Sequence, residues 1–437
     1  MRRPPVLLAA LLLGGGVLTA CTSEEPTSLS APEVYYLPPD GKKTAVENKP
    51  EFQVRVDGDE PYPRTGTRRV TVDVVGGSVD VVWLRWSGPD CKGGAAHVTC
   101  DISGIFINGG GSQRVVPVAA KGAKAGDSAV VRFTYATKDG KKLTARTKVV
   151  VGEPVVEVAA PKVFKDVRPG AEVTEPLVVR NTGTVPVRGL GIELGVGAAE
   201  FVERYDNCRY PDPKLYHGNI AVCRIPDVRI APGESVALKG GVRVRASKTV
   251  MHGAVVSQVW PLDTKPESKN GDLGDGPSLE AEARPAARGT FAAGGSETRL
   301  TLDTRADYEV TGIDLHGDPG DVRKLRLTVR NNGPGDPGDV AELVFNQPYD
   351  SGVLKQPMTE IDDGEYGPYC ENGILTYVCP IEDLAPGQTR TFEFTLRLGE
   401  PGTGSVSVQD TEAATKAGTV RRDPRPANDE AVITIGK

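Results

Sequence analysis

Leu177-Val178-Val179-Arg180-Asn181-Thr182-Gly183, preceded by the turn Pro169-Gly170, decides how this chain folds. It recurs in the same register as Leu327-Thr328-Val329-Arg330-Asn331-Asn332-Gly333, preceded by Pro319-Gly320. The β-branched and apolar run makes a strand, and Asn-x-Gly makes the turn that ends it. A Pro-Gly turn, a strand and an Asn-x-Gly turn met twice at one spacing mark tandem copies of a single unit. Closer to the amino terminus, residues 70–75 before Gly76-Gly77 match the pattern more loosely.

The cysteines divide the chain in the same way. Apart from Cys21 they form three local pairs: Cys91 with Cys100, Cys208 with Cys223, and Cys370 with Cys379. An exported chain meets oxidising conditions, so one close pair per unit reads as one disulfide per unit. Closing loops this short stabilises each unit by about 2–3 kcal/mol in the chain-entropy model. Zinc is the rival reading, but no pair has the second close pair or the His-x-His spacing that a metal would use.

The residues after each second cysteine also repeat. Cys100-Asp-Ile-Ser-Gly-Ile-Phe-Ile-Asn-Gly-Gly-Gly-Ser112 aligns without gaps on Cys223-Arg-Ile-Pro-Asp-Val-Arg-Ile-Ala-Pro-Gly-Glu-Ser235. Cys379-Pro-Ile-Glu-Asp-Leu-Ala-Pro-Gly-Gln-Thr389 is a shorter third copy. Each passes through a turn at Gly110, Gly233 or Gly387 into an alternating strand. Together these motifs resemble the Ig-like conserved-repeat domains of bacterial surface proteins, well in the second and third units and loosely in the first. The resemblance implies β-sandwiches that act as spacers or interaction modules and share no catalytic residues.

Strand periodicity supports the same fold independently. Ala129-Val130-Val131-Arg132-Phe133-Thr134-Tyr135 and residues 143–151 flank Asp139-Gly140, a strong hairpin signal, and no long 3.6-residue period is present.

The first residues carry an export signal: Arg2-Arg3, an apolar run too short to span a bilayer, and small residues before Cys21. Leu18-Thr19-Ala20-Cys21 resembles the lipobox of bacterial lipoproteins, which implies cleavage before Cys21 and acylation of its thiol. The expectation is therefore an all-β chain of three tandem immunoglobulin-like antiparallel β-sandwiches after a cleaved lipoprotein signal peptide. Residues 1–20 would be the signal and 21–31 a lipidated tether. Residues 32–152, 153–284 and 296–437 would be the sandwiches, with 285–295 a linker and bend point.

A net charge of −6, with both signs interspersed, argues for solubility and against nucleic acid, which selects a clustered basic face. His97, His217, His252 and His316 are scattered over all three units, so no His-based metal site or catalytic triad is expected. The Gly-rich residues 108–112 lack the Lys-Ser or Lys-Thr of a phosphate loop and align with a hairpin turn. Asp272 and Asp275, like Asp362 and Asp363, sit in acidic turns without EF-hand spacing; solvated turns are expected, with calcium the alternative.

Aromatic residues make up only 5% of the chain, yet tyrosines crowd the cysteine loops. Tyr205, Tyr210 and Tyr216 surround one; Tyr349, Tyr366, Tyr369 and Tyr377 surround another. Their rings can cap the cores or form a binding surface at the sandwich ends. Trp83 and Trp86 are an odd number apart, so one of them faces away from the core. The partners expected are the membrane, through lipid on Cys21, and an envelope protein or wall glycan. No cofactor and no catalytic residues are expected.

Overall fold

The computed structural model describes residues 28–45, 52, 54–57, 68–76, 78–87, 90–102, 114–136, 140–160, 163–216, 218–265, 268–285, 289–362 and 364–437. Cys21, residues 1–20, expected to be a signal peptide, and Gly110, where a turn is expected, lie outside them. The chain is all-β and forms two compact units, residues 1–42 with 48–151, and residues 43–47 with 152–437.

In the first unit a six-stranded sheet runs Val34–Leu37, Lys142–Val151, Ser128–Ala136, Arg68–Val75, His97–Ile102 and Cys91–Gly93. Ser128–Ala136 buries Ala129, Val131, Phe133 and Tyr135 in alternation, as a strand with one covered face must. It pairs antiparallel with Lys142–Val151, the partner expected across Asp139-Gly140. The pair Val82–Ser87 and Arg114–Ala119 supplies Val82, Leu84 and Val115 to the same core.

The second unit holds two sandwiches. In the first of them a seven-stranded sheet runs Phe164–Val167, Gly295–Leu302, His252–Pro261, Val187–Gly197, Asn219–Ile230, Cys208–Tyr210 and Asp272–Leu273. Opposite it stand Ala281–Arg284, Ser235–Leu238, Val178–Asn181, Val156–Ala159 and Phe291–Ala293, and a three-stranded sheet completes the layer. The core between them includes Val179, Val187, Ile192, Leu194 and Val244. The other sandwich pairs Tyr308–Val310, Val322–Asn331, Thr389–Arg397 and Gly352–Lys355 with a six-stranded sheet centred on Gly402–Asp410 and Ala341–Asn346. Its core includes Leu325, Leu327, Phe345 and Phe394. Burying each such side chain contributes about 1.5–3 kcal/mol before entropy is counted.

One closure rule recurs and corrects a boundary. An early strand pairs in parallel with the last strand of its sandwich: Val34–Leu37 with Lys142–Val151, Phe164–Val167 with Gly295–Leu302, and Ile313–His316 with Glu430–Gly436. Gly295–Leu302 is thus the closing strand of the second sandwich and not the opening of the third. Phe291–Ala293, expected within a linker, pairs with Val156–Ala159 in the second sandwich. Residues 285–295 read as linker because Ala, Arg and Gly dominate them, and the three-residue strand Phe291–Ala293 is too short to show a period.

Residues 285–295 are also not the hinge between sandwiches. The second and third join through residues 249–251: Met251 N–H donates to Asp336 O at 2.7 Å, and Asp336 N–H donates to Thr249 O at 2.8 Å. Met251 is fully buried and belongs to the third sandwich's core cluster. Arg422 donates across the junction to Asp166 at 3.2 Å.

Candidate functional site

All three cysteine pairs are disulfides, Cys91–Cys100, Cys208–Cys223 and Cys370–Cys379. Cys91 stands directly opposite Cys100, and Cys208 directly opposite Cys223, so each bond crosses two neighbouring strands of one sheet. The loops they hold are where tyrosines gather, and the rings divide into two groups.

Most of them cap cores. Tyr205 and Tyr210 are buried, the Tyr205 N–H donates to the Tyr210 hydroxyl oxygen at 2.8 Å, and Arg204 lies 4.2 Å above the Tyr210 ring. Burial pushes the Tyr210 hydroxyl up to about 12. Tyr377 is buried between Phe345 and Phe394. Tyr369 donates to Pro380 O and accepts from Arg390, each at 3.0 Å, with burial raising its pKa. Tyr216 ends the short helix Pro213–Tyr216, and its side chain falls outside the described set.

Tyr366 belongs to the other group. It is 63% exposed, on a hairpin of Met358–Asp362 with Glu365–Pro368, where Met358 is 54% and Ile361 64% exposed. Ile361 packs across Gly367, while Met358 and Tyr366 occupy the opposite face by register. In the adjoining loops Tyr349 is 80% and Ile374 96% exposed, and the two segments meet where Gln347 N–H donates to Leu375 O at 3.0 Å. Residues 349–375 therefore expose a concentration of large apolar side chains that single, scattered surface residues do not match. Asp350, Glu360, Asp362, Glu365 and Glu371 are exposed among them, and Lys355 is the one cation of the described residues in this segment. The hairpin's apolar residues carried no sequence signal, because a half-buried strand and a projecting one share the same alternation.

Trp83 and Trp86 divide as their odd spacing requires. Trp83 is 42% exposed, whereas Trp86 packs against the first unit's core. Nearby, Asp73 accepts from His97 Nδ1 at 2.7 Å and from Arg132 at 3.0 Å, and Thr99 Oγ1 lies 3.1 Å from His97 Nε2. Burial alone would raise the Asp73 pKa, but the His97 and Arg132 hydrogen bonds outweigh it and hold the carboxyl low. This Asp-His-Thr order resembles a charge-relay triad, yet Asp73 faces His97 and Arg132 as direct cross-strand neighbours on an open sheet. A ladder of paired charges accounts for it.

The remaining histidines differ in setting. His316 Nδ1 lies 3.3 Å from Lys437 O. His252 is half-buried at the junction of the second and third sandwiches, its Nε2 3.2 Å from Val420 O. His217 lies outside the described residues. Among those described, no three His, Cys, Asp or Glu side chains group to hold a metal. Asp272 sits in an edge strand opposite Tyr210, and Asp363 is outside the described residues.

One groove of about 500 Å³ opens on the outer face of the seven-stranded sheet. Trp260, Arg209, Arg224, Lys265 and Glu193 line it. None of these residues stood out in the sequence, because they come from four separate segments.

No family model and no curated protein matches this chain. Solved structures that match include the I-band fragment I67-I69 from titin, 8% identical, covering 94% of this chain and 99% of that one at a TM-score of 0.17. The structure of Dpr2 Ig1-Ig2 with DIP-Theta Ig1-Ig3 is 8% identical over 94% of this chain and 99% of that one, with a TM-score of 0.20. The human Desmocollin-1 ectodomain is 11% identical over 93% and 61%, with a TM-score of 0.15. Likenesses this faint assign neither partner nor activity; sheet order and register are what define the tandem Ig-like sandwiches.

Proposed function

We propose that this chain is a non-enzymatic, extracytoplasmic lipoprotein of the bacterial envelope, acylated on Cys21, whose third sandwich presents an apolar, tyrosine-bearing tip to a protein partner. The tip is the observation that carries the reading: Tyr349, Met358, Ile361, Tyr366 and Ile374 are all more than half exposed within one segment. Aromatic and Met side chains are the types that binding surfaces favour. The acidic rim selects the kind of partner. Exposed carboxylates repel the anionic headgroups of a membrane surface, whereas they complement a protein bearing basic residues around an apolar patch. The lipobox-like Leu18-Thr19-Ala20-Cys21 supports anchoring, with the sandwiches holding the tip outside the membrane.

Proximity crosslinking on intact cells tests both halves. Wild-type protein should capture a discrete envelope protein, and a triple variant (Ile361→Ser, Tyr366→Ser, Ile374→Ser) should lose it while remaining membrane-bound. Cys21→Ser should release the chain in soluble, unacylated form. Undiminished capture by the triple variant would remove the tip from the reading, and membrane retention of Cys21→Ser would remove the lipid.

A further inference from the structure

The outer face of the second sandwich's large sheet carries a second surface of different chemistry. Strand register sets out its floor. Trp260, Gly191 and Arg224 form one cross-strand row, and Gln258, Glu193, Val222, Arg209 and Leu273 form the next. The Trp260 indole packs against Gly191: a Cβ there would stand 2.3 Å from indole atoms Cε2 and Nε1. Glycine is what lets the ring approach the sheet this closely, and Trp260 lines the groove. The Lys265 ammonium lies over the ring, 4.4 Å from its centre, on an exposed side chain. An exposed cation–π contact of this kind is weak enough for a ligand to displace.

The charges are uneven. Arg209, Arg224 and Lys265 face one carboxylate, Glu193, in a protein whose net charge is −6. Arg209 donates to Gly271 O at 3.2 Å and keeps further donors free of that bond. Among the described residues the Arg224 guanidinium makes no hydrogen bond or ion pair, although it is half-buried in the groove wall. A groove with three cations, one carboxylate and an indole in its lining suits an anion that carries a ring.

We infer that this groove is a binding site for an acidic saccharide, with Trp260 stacking on the sugar ring and Arg224 and Arg209 taking its carboxylate or phosphate. A pyranose ring presents a flat face of C–H groups to the indole, and a planar guanidinium binds carboxylate or phosphate oxygens in pairs. The groove is large enough for one or two sugar rings and open along the sheet. The inference stands apart from the tip on the third sandwich, which uses other residues and another kind of partner.

Titration of the full chain, followed by tryptophan fluorescence and calorimetry, tests it with four probes: trigalacturonate, glucose 6-phosphate, neutral trigalactose and inorganic phosphate. At least one of the two acidic sugars should bind, and more tightly than the neutral sugar or phosphate alone. Trp260→Ala and Arg224→Gln should each weaken that binding about tenfold or more, while Trp83→Ala leaves it unchanged. Arg224→Gln leaves the indole packing on Gly191 untouched and removes a guanidinium with no partner among the described residues, so it keeps the test valid if Trp260→Ala disturbs the sheet. Equal binding of trigalactose would overturn the role of the arginines. Equal binding of inorganic phosphate would overturn the role of the ring. Binding by neither acidic sugar, or binding unaffected by Arg224→Gln, would overturn the site.

Discussion

Asn181 and Asn331 make the same four side-chain hydrogen bonds in two different sandwiches. Asn181 Nδ2 donates to Val185 O and Ile230 O, both at 2.9 Å, and its Oδ1 accepts from Gly183 N at 2.9 Å and Val155 N at 3.4 Å. Asn331 Nδ2 donates to Gly335 O and Leu384 O, both at 2.7 Å, and its Oδ1 accepts from Gly333 N at 3.0 Å and Asp307 N at 3.4 Å. Both side chains are fully buried. The backbone repeats the correspondence: Gly233 N–H donates to Asn181 O at 2.8 Å, and Gly387 N–H to Asn331 O at 2.7 Å. The Asn-x-Gly turn and the turn at Gly233 or Gly387, far apart in sequence, are thus one structural corner, made twice.

Asn181→Ala and Asn331→Ala should therefore be among the costliest polar substitutions in the chain. Each leaves two carbonyls and two amides without partners, at about 1–3 kcal/mol for each buried group that water cannot reach. Urea denaturation should show a loss of at least about 3 kcal/mol for either variant. A loss below about 1 kcal/mol would mean that the corner is held by the backbone alone.

Met251 couples two sandwiches, because a residue of the second completes the core of the third. Met251→Ala should cost about 2–5 kcal/mol, as truncation in a packed core does. Calorimetry should also resolve the unfolding of the two sandwiches into separate transitions. A single unchanged transition would contradict the coupling.

His252 gives the junction a pH dependence. Burial is the main cause lowering its pKa from 6.5, and the Val420 carbonyl offsets this only in part, with Arg422 adding to the depression. The folded chain thus holds His252 neutral, while the unfolded chain takes up a proton below about 6.5. Stability present above pH 6.5 should be lost as pH falls through the lower folded value. His252→Gln keeps a donor for Val420 O and removes the titration. The difference between wild type and variant, measured as urea midpoints from pH 7.5 to 4.5, should carry this slope; parallel curves would refute it.

The disulfides stabilise by shortening loops in the unfolded chain. Cys208 and Cys223 are separated by 15 residues, Cys370 and Cys379 by 9. Replacing Cys208 and Cys223 together by Ala should lower stability by about 3 kcal/mol, somewhat more than the same change at Cys370 and Cys379. Thermal melts of the two double variants give the order directly, and the reverse order would point to packing as the larger effect.

Local chemistry made much of this legible in advance. Strand alternation, Asn-x-Gly and Pro-Gly turns and paired cysteines each act over a few residues, so the sequence alone determined the all-β class, the repeat of the unit and the three disulfides. The odd spacing of Trp83 and Trp86 likewise predicted that they would part, because side chains alternate along any strand. What spacing could not supply was register across distant strands. Gly295–Leu302 closes the second sandwich only because it pairs with His252–Pro261 and lies parallel to Phe164–Val167. Trp260 packs close to the sheet only because Gly191 stands beside it on the neighbouring strand. Tyr366 is exposed and Tyr377 buried although both flank the same disulfide, a difference set by which strand projects and which is covered. Turns and pairs are written in neighbouring residues; surfaces and junctions are assembled from segments that meet only when the sheets close.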